Sequence, residues 1–138
     1  MVKLEPSADA YSYAFAELEP TLPAKHRAML RAHYAAPAHT LTAAQIAAAV
    51  GYKSYSTVNL QYGTLAKRVC SLLGRSPEYY VLILVSFEVG GVHGHLNWRM
   101  RPEVARALER LGWVRAVSFC HATRPLRAEQ RAPDVATF

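Results

Sequence analysis

The sequence predicts an α+β fold in which a three-helix core is followed by a β-hairpin and one further helix. Three observations predict it. Thr42 and Gln45 form a capping box ahead of an alanine-rich run, Gly51 and Gly74 stand where helices should stop, and two strand-like runs flank the turn sequence "GGVHGH". With 138 residues, half of them apolar and about a fifth charged, the chain suits one hydrophobic core rather than disorder.

Residues 1–21 contain Pro6 and Pro20 and carry no sustained period, so they read as an acidic, partly ordered arm with a short helix near Tyr13 to Leu18. The body spans residues 22–120 and begins with "PAKHRAMLRAHYAA". Pro23 suits a first helical turn, Leu30, His33 and Tyr34 fall near one stripe, and Pro37 ends the helix at or before Ala36. In "HTLTAAQIAAAVGY" the Thr42–Gln45 box opens a second helix of about two turns, which Gly51 closes in the left-handed conformation. After the connection "YKSYS", Ser54 or Ser56 caps a third helix that runs to Leu73 and stops at Gly74. On a helical wheel Val58, Tyr62, Leu65, Val69, Leu72 and Leu73 form its core side. Leu60, Gly63, Thr64, Lys67 and Ser71 lie opposite, with Asn59 and Arg68 on the flanks.

"PEYYVLILVSFEV" reads as a strand, and "LNWRMR" as its partner, with Leu96, Trp98 and Met100 alternating against Asn97, Arg99 and Arg101. Pro102 opens a last helix with Val104, Leu108 and Leu111 inward and Gly112 as its cap. "WVRAVSF" is expected to add a third strand, and residues 121–138 to form a basic flexible tail.

Several function classes are excluded at this level. The longest apolar run, Val81 to Val85, is too short for a membrane span. Cys70 and Cys120 form no C-x-x-C pair and no signal peptide leads the chain, which implies a reducing cytoplasm. No nucleophile elbow, H-E-x-x-H or P-loop occurs, and Glu78, Glu88 and Glu103 are too scattered for a nuclease, so no enzymatic activity is expected. His93 and His95 supply two ligands where zinc needs three or four, so neither metal nor cofactor is expected.

The charge pattern points instead to a polyanion. Net charge is +6, and the first 20 residues set Lys3 against Glu5, Asp9, Glu17 and Glu19, leaving the excess base in the body. Helix, short capped helix, tight connection, longer helix and hairpin is the order of a winged helix-turn-helix, whose third helix lies in the DNA major groove. Asn59 and Gln61 then offer amides to adenine edges, with Thr64 beside them. Lys53, Lys67, Arg68 and Arg75 would meet phosphates, as would Arg99 and Arg101 from the hairpin and His93 and His95 from its turn. Ser54, Tyr55 and Ser56 at the helix start join the contact set, together with Leu60 and Gly63. Blander readings stand beside these: Asn59 and Gln61 as solvated residues, Leu60 packed under the N-terminal arm, Gly63 admitting a crossing helix.

The string G-Y-x-x-Y-x-x-x-N-L-Q-Y-G, Gly51 to Gly63, with the later "WRMRPEVARALERLGWV", resembles a small domain at the front of bacterial HNH-type restriction endonucleases. The resemblance covers about residues 22 to 114. It implies a non-catalytic module that binds double-stranded DNA and reads a modification, either a methylated base or a phosphorothioate backbone, while a separate nuclease cuts. The chain has no HNH segment, so a cutting role does not carry over. Desolvated contact with such a mark would fall to Tyr52, Tyr55, Leu60 or Trp98. The alternative is a protein-interaction adaptor using the same exposed helix face.

Overall fold

Tyr11, Ala14, Phe15 and Leu18 repeat at the i, i+3, i+4, i+7 spacing of an apolar helical stripe, and they bury one side of helix α1, Ala8–Leu18. The structure, a computed structural model, describes residues 6–115. Ser7 caps α1 by accepting from the Ala10 amide at 3.1 Å. The segment expected to be a partly ordered arm is therefore, from Ala8 onward, a core helix. Two of its acids pair with the chain's own bases, Asp9 with Arg110 and Glu19 with Arg27.

Helix α2, Ala24–Ala35, follows Pro23 and stops before Ala36, which is held extended ahead of Pro37. A short strand that the sequence did not suggest comes next: β1, Thr40–Thr42. It runs straight into the capping box of α3, Ala43–Val50, where Thr42 and Gln45 satisfy each other's backbone amides and Gly51 ends the helix at φ 86°. Helix α4, Tyr55–Leu73, ends at Gly74 in the left-handed region.

The run "PEYYVLILVSFEV" does not form one strand. Tyr80–Ile83 make a 3₁₀ turn, and strand β2 is confined to Val85–Glu88. Donors from elsewhere in the fold decide this. Arg101 Nε donates to the Leu82 carbonyl at 2.7 Å, the Arg101 amide to Leu84 at 3.0 Å, and the Tyr11 hydroxyl to Ile83 at 2.5 Å. Three successive carbonyls thus find partners outside a sheet ladder, so extended pairing begins only at Val85. Arg101, expected to meet phosphate, is occupied in this internal bond.

Strand β3, Asn97–Met100, pairs antiparallel with β2, Val85 opposite Met100 and Phe87 opposite Trp98. It also pairs with β1, Thr40 opposite Arg99, so the sheet order is β1-β3-β2. Helix α5, Pro102–Arg110, packs on α1. Trp113 is buried against Phe15, ring centroids 5.6 Å apart, with the Arg27 guanidinium 4.5 Å from its ring. Trp113 to Arg115 form no strand, and the rest of the expected third strand and the expected tail lie outside the described residues.

The core joins α1, the inner faces of α2 to α5 and one face of the sheet. A polar link runs through it. His33, fully buried, approaches the Trp98 carbonyl with Nε2 at 2.6 Å and the Tyr62 hydroxyl with Nδ1 at 2.8 Å, tying α2 to β3 and α4. A neutral ring satisfies both, donating from Nε2 and accepting at Nδ1. Burial lowers His33 from 6.5 to about 4, and the same desolvation raises the Tyr62 phenol.

Candidate nucleic-acid interface

Helix α4 begins without a side-chain cap. Ser54 is extended and its hydroxyl pairs with that of Ser56 at 2.8 Å, leaving the first amides of the helix to other partners. Beyond this start, Ser56, Asn59, Leu60, Gly63 and Lys67 recur at i, i+3, i+4, i+7 and i+11 and share one outward face. Leu60 is 66% exposed, and a Cβ built on Gly63 would meet nothing within 4 Å. Among the described residues none covers Leu60 and no helix crosses at Gly63. Thr64 lies beside the stripe, its hydroxyl donating to the Leu60 carbonyl at 2.9 Å.

The structure separates the two amides that the sequence offered as a pair. Residues two apart on a helix point to different sides. Gln61 turns toward α2, where its Oε1 lies 2.7 Å from Nε2 of the buried His26. Arg68 also leaves the set, donating to the carbonyl and hydroxyl of Thr21. Asn59 remains on the open face, and Lys53 is exposed just before the helix.

The hairpin turn leans on the same end of α4. Tyr55, half exposed, meets the His95 ring edge-on at 5.1 Å between centroids. The turn closes on itself and on Thr42 only because Gly91 has no side chain: a Cβ there would sit 2.2 Å from the His95 carbonyl oxygen and 2.9 Å from Thr42. His93 is exposed at φ 57°. Arg99 is half exposed and paired with Glu88 at 3.1 Å, so part of its charge is already answered. The turn itself carries no lysine or arginine; its exposed side chains include Val89 and Val92.

Trp98 and Tyr52 do not join the open face. Trp98 is buried between Tyr62 and Phe87. Tyr52 is partly buried, with the Lys25 ammonium 5.3 Å from its ring.

Two residues absent from the sequence-based set are brought to α4 by the 3₁₀ turn. Tyr79 and Tyr80 face Leu60, Gly63 and Lys67 across a groove of 420 Å³, with Glu78 at its rim. Lys67 Nζ lies 5.8 Å from the Tyr80 ring centroid, within reach of a cation–π contact. The only sequence signal for them was a pair of adjacent tyrosines after Pro77, which a strand reading would have sent to opposite faces.

Among the described residues no group of three or more potential metal ligands occurs, and no helix is long and apolar enough to cross a membrane. Comparison with protein families, curated proteins and solved structures finds no match to this chain.

Proposed function

We propose that this chain is a non-catalytic module of winged helix-turn-helix type that binds double-stranded DNA by laying the outward face of α4 in the major groove. The observation that carries the reading is the uncovered stripe Ser56, Asn59, Leu60, Gly63 and Lys67. Asn59 can bond an adenine edge in two places, Leu60 beside it suits a thymine methyl, and bare backbone at Gly63 permits close approach. Lys53, Lys67 and the serine hydroxyls at the helix start would fix the register on phosphates. Supporting it is the element order, in which β1 separates the first two helices of the α2–α3–α4 unit and pairs with the hairpin. An apolar residue on the reading face also fits a module selective for a methylated base or sulfur-substituted backbone, acting with a nuclease in restriction or defence.

Gel retardation of plain, methylated and phosphorothioate duplexes at two salt concentrations tests this. Binding should weaken steeply with salt, and Lys53→Glu with Lys67→Glu should abolish it, because each lost phosphate contact removes counterion release. Unchanged retardation in that double variant overturns the assignment. The second reading, a protein-interaction adaptor, draws on the exposed Leu60 and Tyr79 side chains. It expects salt-tolerant binding to a protein and no duplex retardation.

A further inference from the structure

The groove between α4 and the 3₁₀ turn has a mixed chemistry. Tyr79 is 63% exposed, and among the described residues its ring has no ring or cation partner. Leu60 and the bare backbone at Gly63 form an apolar wall beside it. Asn59 contributes an amide that both donates and accepts, and the Thr64 hydroxyl, its hydrogen given to Leu60, accepts. Lys67 brings one positive charge on a flexible stem, and Glu78 places a negative one on the rim.

From these we infer that the groove binds a single unstacked nucleobase, its ring on Tyr79, its edge at Asn59 and Thr64, and its phosphate at Lys67. An aromatic face takes any base by stacking, whereas the amide and hydroxyl can bond a base edge and would leave an aliphatic side chain unanswered. The carboxylate of Glu78 repels phosphate, so the phosphate pairs with Lys67, the cation of the lining. This site extends the duplex reading and rests on it for its source of bases: the face of α4 that would enter the groove is one wall of the pocket, so a base opened from the duplex lands there.

Fluorescence anisotropy of a labelled four-nucleotide single strand, against an abasic strand of the same length, reads the site directly. The strand with bases should bind at least about tenfold more tightly than the abasic one, and Tyr79→Ala should remove about tenfold, while Tyr79→Phe stays within about twofold. Equal binding of the two strands, no binding of either, or an unchanged affinity in Tyr79→Ala overturns the inference. Duplex retardation by the same proteins keeps the two proposals apart. Duplex binding without base-dependent strand binding removes the pocket alone, and base-dependent strand binding without duplex retardation removes the major-groove reading alone.

Discussion

The two faces of α4 are built from one 19-residue helix and obey opposite rules. On the inner face Val58, Tyr62, Leu65 and Val69 are fully buried, and the Tyr62 hydroxyl is matched to His33. On the outer face a leucine stands in solvent, a glycine interrupts the side-chain layer and the charges are sparse. An inner position is therefore constrained by volume and by hydrogen-bond pairing, so substitutions there act on stability. An outer position such as Leu60 or Gly63 packs against none of the described residues, and each is a poor choice for a merely solvated helix surface. What the difference teaches is where to look for selection by a ligand rather than by folding.

The largest effect that would sharpen this contrast is Tyr62→Ala. It opens a cavity and leaves His33 Nδ1 unpaired, and should cost about 4 kcal/mol in chemical denaturation, enough to unfold a marginal domain. Acid should act on the same link. Because burial holds His33 at about 4, the unfolded chain takes up a proton below its ordinary 6.5 that the folded chain refuses. Stability from this group is intact above about pH 6.5, falls as the pH drops toward 4 and is then fully lost, a total of about 3 kcal/mol. Denaturation midpoints across that range, set against His33→Gln, which cannot titrate, isolate it; parallel curves would show that His33 does not carry the loss.

On the outer face the sign should reverse. Gly63→Ala fills open space in mid-helix and should raise stability by about 1 kcal/mol while weakening duplex binding, since a methyl group then stands between backbone and ligand. A destabilised Gly63→Ala variant would break the comparison. Smallest is Leu60→Ser, expected to shift stability by less than about 0.5 kcal/mol; its effect belongs in the binding assay.

How much of this was legible before folding differs by element. The α3 capping box and the limits of α4 are written in residues that act on their own backbone: Thr42 and Gln45, Gly51 and Gly74. The stripe of α1 is present at Tyr11, Ala14, Phe15 and Leu18, but the flanking prolines and acids have the composition of an arm. The end of the strand-like run at Tyr80 was not legible, because the donors that divert it come from Arg101 and Tyr11, far along the chain. On the outward face of α4, Leu60, Gly63 and Lys67 are legible from the helical wheel alone. Gln61 and Arg68 were lost to partners on other elements, and Tyr79 and Tyr80 were gained from one.

By itself the sequence determined the α+β class, the positions of the caps and which side of α4 turns outward. These follow from the helical period and from contacts within a few residues, where the chain has little choice. Only the tertiary structure decided which outward side chains stay free, where the strand begins and what lies across the groove from Gly63. Each of those is set by hydrogen bonds or packing between residues distant along the chain, whose meeting the local pattern does not encode.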